Sequence, residues 1–394
     1  MPGSVIVAGA RTPIGKLSGA LAPFSAMELG GFAIAAALGR AGLAPGQVDY
    51  VVMGHVVLAG QGQITARQAA VKAGIPMTVP ATTVNKVCLS GLNAIYLADQ
   101  MVNAGDAEVV VAGGMESMTR APHVLPGARE GFRLGDAALV DSMMHDGLTC
   151  AFDQCAMGLA TERYNERIGI TRERQDAFAA ASHEKAAAAA KDGRLAEEIV
   201  PLQVPQRRGD PILVDTDEGV RPGTTAASLA ALRPAFVEAG TITAGNASQI
   251  SDGGAAVVVM SKAKADELGV TPLGELVSYG QVAGPDPSLL LQPSRAIALA
   301  LGKAKLEVGD VELFEINEAF AAVGLASADE LGIPAEKLNV NGGAIALGHP
   351  VGMSGTRLAL SALYELRRRG GGVAAVGLCG GGGQGDAAVL RSAP

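Results

Sequence analysis

The chain has 394 residues, 48% of them hydrophobic and 18% charged. That is the balance of a folded protein of two or three packed units and not of a disordered chain. Basic residues number 31 against 39 acidic, a net charge of −8, so no overall basic field draws nucleic acid or an anionic membrane. No run approaches the ~18 apolar residues that span a bilayer. The opening Met1-Pro-Gly-Ser-Val-Ile-Val7 lacks the basic lead and long apolar stretch of a signal peptide, so a cytoplasmic protein is the expectation. With 53 glycines and no tryptophan, close backbone packing should matter more than large side chains.

In chain order, the apolar runs Ser4–Ala8, Val48–Met53, Thr82–Val84 and Val109–Ala112 are too short for helices and lack polar alternation, which predicts buried strands. Between the first two, Ser25-x-x-Glu28 is a capping box that starts a helix over Ala26–Arg40. Roughly 119–249 follows, with charge clusters, a helix over Arg172–Lys191, and turns around Pro205–Pro211 and Arg221–Gly223. It reads as an inserted domain lying over a site.

The rest of the chain is written twice. Gly31–Leu43 overlies Ser294–Leu306, with Ile34/Ile297, Leu38/Leu301 and Gly39/Gly302 coinciding at an offset of 263 residues. The register continues through Gly46/Gly309 into the runs Val48–Met53 and Val311–Ile316. Ser90-Gly91 then pairs with Ser354-Gly355 at 264, each opening a helix that leads to Val109–Gly114 or Val376–Gly381. One offset kept across helix, turn and strand marks a duplication, and strands alternating with helices imply layered α/β halves. The organisation is a first half over 1–118, completed by about 250–270, an inserted loop domain over 119–249, and a second half over 271–394.

Four cysteines are too few for a disulfide framework in a chain of this length. Cys150 and Cys155, near His145, lack the second Cys/His pair that a zinc site needs, so no metal is expected, and both read as small buried hydrophobes. Cys88 lies in Asn85-Lys-Val-Cys-Leu-Ser-Gly91 at a helix start, where free N–H groups and the helix dipole favour a thiolate. His349 stands in a glycine-rich loop, Asn341–Gly355, before the duplicated helix. The offset of 264 maps Cys88 onto Gly352, which brings Cys88 to face His349 across a pseudo-twofold axis. Cys379 opens Cys-Gly-Gly-Gly-Gly-Gln-Gly385, a run unfit for a strand interior whose N–H groups can converge on an oxyanion. The run lacks the Lys-Ser/Thr ending of a P-loop. Asn317 follows the strand Val311–Ile316, so its amide should lie near the other loops.

Taken together, Asn85–Gly91, Asn317-Glu-Ala-Phe320, Gly342–Pro350 and Cys379–Gly383 resemble the four signature blocks of the thiolases, and the likeness runs from Ala10-Arg-Thr-Pro-Ile-Gly15 to the C-terminus. It is strongest to the acetyl-CoA acetyltransferases of that family. The resemblance implies two duplicated layered α/β halves plus a loop domain. It implies condensation of two acetyl-CoA to acetoacetyl-CoA and CoA, and the reverse thiolysis, through an acetyl-cysteine. In that reading Cys88 takes the acyl group, His349 activates it and Cys379 moves the α-proton. Asn317, through a held water, joins His349 in one oxyanion hole, and the N–H groups of Cys88 and Gly381 form the other. No cofactor is implied, coenzyme A being substrate and product, and the partners are these thioesters, with no nucleic acid, no membrane, and a homo-oligomer (dimer or tetramer).

For the carrier, Arg221, Ser228 and Leu232 match family positions at the nucleotide end. Leu148, Met157, Ala244, Ser248, Ala319 and Phe320 match positions lining the pantetheine channel. Two departures bear on acyl-chain length: Ala156 stands where many acetyl-specific members carry His, and the stretch Gly284–Pro293 is short. The competing reading is a degradative 3-ketoacyl-CoA thiolase accepting longer chains.

Overall fold

The Ser25 hydroxyl accepts from the Glu28 N–H while the Glu28 carboxylate accepts from the Ser25 N–H at 2.8 Å. The predicted capping box therefore starts a helix over Ala26–Ala41, and Gly42 ends it in the left-handed conformation. The computed structural model describes residues 3–393. The other short apolar runs become the strands Ser4–Arg11, Tyr50–Gly54, Ala81–Val84 and Val109–Ser117. Of these, Ala81–Val84 is the least buried, at the sheet's edge.

The two halves repeat one topology. In the first sheet the order is Ser4–Arg11, Ser251–Ser261, Val109–Ser117, Tyr50–Gly54, Ala81–Val84. In the second it is Glu275–Ala283, Gln384–Ser392, Gly372–Gly380, Leu313–Ile316. A lone parallel bridge from Phe314 to Leu338 stands where the first sheet has its edge strand. The strand Ser251–Ser261 pairs on both sides, with Ser4–Arg11 and Val109–Ser117, so the first half is completed by chain that returns after the insertion.

The ladders correct one detail of the sequence alignment. Tyr50 opposes Val110 and Leu313 opposes Ala374, so the 264 offset persists into the last strands. The counterpart of Cys379 is Met115, not the Ala112 that the run Val376–Gly381 suggests. Both strands are Val, Ala and Gly repeats, and side-chain pattern alone does not fix their register.

The helices Ser90–Ala104 and Ser354–Arg368 lie side by side between the sheets, and one apolar cluster holds Leu92 and Ile95 of one, Leu358 and Leu363 of the other, and Val110 and Val376 of the two sheets. Outer helices close the far faces, giving five layers. The glycines allow this approach: a Cβ on Gly114 would lie 2.0 Å from the Gly352 carbonyl, and one on Gly355 2.3 Å from the Leu92 nitrogen.

The segment 119–249 forms two short hairpins, the helices Met157–Ile168 and Arg172–Lys191, and a third hairpin over Leu202–Val204 and Ile212–Val214. It is anchored by fully buried Arg11, whose guanidinium meets Asp217 at 2.7 Å and Glu198 at 2.9 Å. Glu198 in turn accepts from Ser361 of the central layer.

Candidate active site

From the edge strand the chain turns through Asn85–Leu89 into the helix Ser90–Ala104. Val87 holds φ 51°, an expensive conformation for a β-branched residue, and three contacts keep it. Asn85 Oδ1 accepts from the Val87 N–H at 3.1 Å, Ser90 Oγ donates to the Val87 carbonyl at 2.6 Å, and Lys86 pairs with buried Asp386 at 2.7 Å. This turn projects Cys88 into a cavity of about 60 Å³ that it shares with Met157, Phe320, His349 and Gly381.

At Cys88 the helix start does not act alone. Burial pushes the thiol up to about 12, and the charge of Glu116 pushes the same way, while the N–H groups of Cys88 and Gly381 pull it back only in part. Cys88 retains some surface, but that surface faces the cavity, and desolvation of a charged sulfur outweighs the helix terminus.

His349 is positioned from the second half. Gly348, at φ 113°, lets the loop turn where a Cβ would strike the Ser251 hydroxyl. The His349 N–H donates to the Gln249 carbonyl at 3.1 Å. Its Nδ1 lies 2.6 Å from Ser354 Oγ, and that hydroxyl donates to the Pro350 carbonyl at 3.0 Å. Ser354 therefore accepts from Nδ1–H, which leaves Nε2 the unprotonated ring nitrogen. Burial, helped by the Arg357 cation, holds the imidazole down to about 3, so it is a neutral base.

Asn317 Nδ2 is 3.4 Å from His349 Nε2, and Asn317 Oδ1 is buried with no partner among the described residues. Its neighbour Glu318 shapes the glycine loop, accepting from Ser182 at 2.6 Å, Asn339 at 2.8 Å and the Ile345 N–H at 3.1 Å.

Cys379 is fully buried beside Cys88, and its thiol is raised first by burial and then by that neighbour. The glycine run departs from expectation. Cys379 and Gly380 still belong to the strand, and only Gly381–Gly383 turn, with φ 79° at Gly382 and 68° at Gly383.

Sequence reasoning missed Glu116, His55, Ser354 and the Arg357–Glu315 pair at this site. Glu116, fully buried, accepts from the N–H groups of Val56 (3.1 Å) and Gly352 (3.0 Å) on one oxygen and of Val57 (3.2 Å) on the other. Val56 also accepts from Asn85. One carboxylate thereby joins the nucleophile turn to the loop that carries His349, and His55 Nε2 flanks it at 3.2 Å. Ser354 sets the imidazole, and Arg357 pairs with Glu315 at 3.3 Å, where burial lifts the Glu315 carboxyl to about 8. A lone carboxylate inside an apolar strand run, as at Glu116, is the signal that could have pointed here.

Leu148, Met157, Ser248 and Phe320 line a channel of about 220 Å³ that opens from His349, and Ala319 lines the Cys88 cavity. Arg221, Ser228, Leu232 and Ala244 line neither and lie exposed on the loop domain. The Arg221 N–H donates to His183 Nδ1 at 3.2 Å, and the Ser228 hydroxyl closes a cap with Thr225. Beyond Val87 a wider cleft of about 720 Å³ is bounded by Asn85, Phe152 and Gly382. Cys150 is buried as expected, whereas Cys155 is only half-buried. Among the described residues no group of three or more His, Cys, Asp or Glu is placed to hold a metal ion, and no helix is long and apolar enough to cross a membrane.

Residues 4–263 match the family model "Thiolase, N-terminal domain" and 270–392 match "Thiolase, C-terminal domain". The chain is 58% identical over 387 residues to the probable acetyl-CoA acetyltransferase of Mycolicibacterium smegmatis, covering 98% of this chain and 100% of the relative. It is 57% identical over 392 residues to the protein of that name from Mycobacterium tuberculosis, covering 100% of each. With the acetyl-CoA acetyltransferase of Cupriavidus necator it shares 54% over 388 residues, 98% of each. With a duplicated five-layer scaffold and a cysteine, a histidine and a second cysteine gathered at the junction of its halves, this chain belongs to the thiolase family.

Proposed function

We propose that this thiolase is an acetyl-CoA C-acetyltransferase, joining two acetyl-CoA into acetoacetyl-CoA and CoA and running the reverse thiolysis. The observation that carries this reading is the cavity at Cys88. At about 60 Å³ it leaves room for an acetyl group against the sulfur. The names of the full-length relatives point the same way and do not favour the longer-chain alternative.

In the first half-reaction His349 Nε2 takes the Cys88 proton as the sulfur attacks the acetyl carbonyl, and CoA leaves with a proton. The neutral thiol and neutral imidazole suit a transfer coupled to attack, with no standing ion pair. The departing CoA sulfur takes its proton from Cys379, which leaves Cys379 a thiolate. In the second half-reaction that thiolate takes a proton from the α-carbon of another acetyl-CoA, and the resulting carbanion attacks the acetyl-Cys88 carbonyl. The released Cys88 sulfur recovers its proton from His349 Nε2. The N–H groups of Cys88 and Gly381 stabilise one oxyanion. The protonated Nε2 and a water held by Asn317 stabilise the other. All proton transfers are assigned to these side chains, so no cofactor enters. Arg221 supplies a cation for the phosphates of CoA, with Ser228, Leu232 and Ala244 beside it on the loop domain.

A cytoplasmic homo-oligomer, dimer or tetramer, completes the proposal. It is supported by the edge strand Ala81–Val84 and by exposed Phe132 and Leu134, and sedimentation velocity measures it. The experiment for the activity combines two readouts. Acetyl-CoA should leave one acetyl group on Cys88 by peptide mass spectrometry, absent in Cys88→Ala. Acetoacetyl-CoA should be the best of a series of 3-ketoacyl-CoA thiolysis substrates. Higher kcat/KM with a six- or eight-carbon substrate would overturn the acetyl preference and point to the wide cleft beyond Val87.

A further inference from the structure

Two cysteines outside the catalytic set face each other. Thr149–Cys150 and Cys155–Ala156 form a two-stranded antiparallel hairpin in which Cys150 is directly opposite Cys155. Opposed residues in such a ladder have Cα atoms about 4.5 or 5.5 Å apart, and either spacing lies inside the range a disulfide bridges. Both thiols are free. Their surroundings differ: Cys150 is buried, its sulfur accepting from the Asp153 N–H at 3.3 Å, and Cys155 is half-buried with Arg163 Nη1 at 3.7 Å.

The hairpin roofs the site. Leu148 precedes it and Met157 follows it, and both line the Cys88 cavity. At its tip the Phe152 ring packs on Gly382, so closely that a Cβ there would lie 2.9 Å from it. Gly382 follows the Gly381 N–H that reaches the Cys88 sulfur.

We propose that Cys150 and Cys155 are a modification site, a thiol pair that closes to a disulfide by exchange with a low-molecular-weight disulfide and thereby locks the roof of the substrate channel. The accessible Cys155 sulfur attacks the small disulfide RSSR, forming Cys155–S–SR and releasing one RSH. Cys150 then attacks the Cys155 sulfur and releases the second RSH. Two protein thiols become one disulfide while RSSR is reduced to two RSH, so protons and electrons balance. To reach Cys155, the Cys150 sulfur leaves the Asp153 N–H. That bond shapes the turn under Phe152, so closure shifts the Phe152–Gly382 contact beside the oxyanion N–H of Gly381.

The test equilibrates the purified enzyme with reduced and oxidised glutathione at graded ratios, blocks remaining thiols, and maps the peptides by mass spectrometry. Closure is read as two lost hydrogens in the segment holding 150 and 155, a readout that does not depend on the acetyltransferase assignment. Cys150→Ser should instead stop at glutathione on Cys155. Thiolysis should fall in step with the closed fraction, recover with dithiothreitol, and stay insensitive in Cys150→Ser and Cys155→Ser. Glutathione on Cys155 of Cys150→Ser with no closure in the wild type at any ratio would overturn the pair. So would activity loss that tracks a Cys88–Cys379 bond. Closure without change in turnover would overturn the coupling to the channel.

Discussion

The two halves of this thiolase are alike in topology and unlike in chemistry at three matched positions of the site. Where the first half has Asn85, Cys88 and Met115, the second has His349, Gly352 and Cys379. The reason is steric at one of these pairs. A Cβ on Gly352 would lie 2.7 Å from the Met115 carbonyl and 2.9 Å from the Glu116 carboxylate, so the second half cannot carry a side chain where the first carries its nucleophile. The first half cannot supply the base, because Asn85 is spent on the backbone of Val56 and Val87. A duplicated scaffold has become one site by letting each half contribute what the other has no room for, and Glu116 holds the two contributions in register.

The largest effect that would break this division is loss of His349. His349→Ala should slow acetylation of Cys88 and condensation alike, each by roughly the 10²–10⁴ of a positioned acid–base group, measured by quench-flow and by coupled assay. A variant that acetylates normally would move the base elsewhere.

Next is the joint between the halves. Glu116→Gln keeps the size but turns an amide NH₂ toward backbone N–H groups, leaving at least one buried donor unmet at about 1–3 kcal/mol. Thermal unfolding should report that loss of stability. Slower acetylation of Cys88 at unchanged KM for acetyl-CoA should report lost alignment, and unaltered acetylation would make Glu116 merely structural.

Smallest is the response to pH. His349, held near 3, stays neutral above about pH 4, and Cys88, raised to about 12, stays protonated below about pH 11. Neither changes form between pH 6 and 9, so the rate of Cys88 acetylation should be flat there. A step with an apparent pKa in that window would show a standing thiolate–imidazolium pair instead.

The elements that position the site were legible wherever a local rule decides them. Ser25 and Glu28 name their own helix, and the glycines around His349 and Cys379 announce close approach. The register of the last strand was misread by three residues because Val, Ala and Gly runs resemble themselves at several offsets. The burial that raises both catalytic thiols was not legible, because a helix terminus is visible in sequence and desolvation is not. Glu116 meets Gly352 from 236 residues away and Arg357 meets Glu315 from 42 away, neither with a local pattern. Ser354 meets His349 five residues back, across a loop-to-helix turn that no local rule describes.

The division of labour is tested most directly by Cys379→Ser, assayed separately for the two half-reactions. A serine hydroxyl keeps the packing but cannot readily take a carbon-bound proton. Acetylation of Cys88 by acetyl-CoA should continue at a substantial rate while condensation falls by roughly 10²–10⁴. Condensation at near wild-type rate would contradict the account, leaving Cys379 a packed thiol and the α-proton base unassigned.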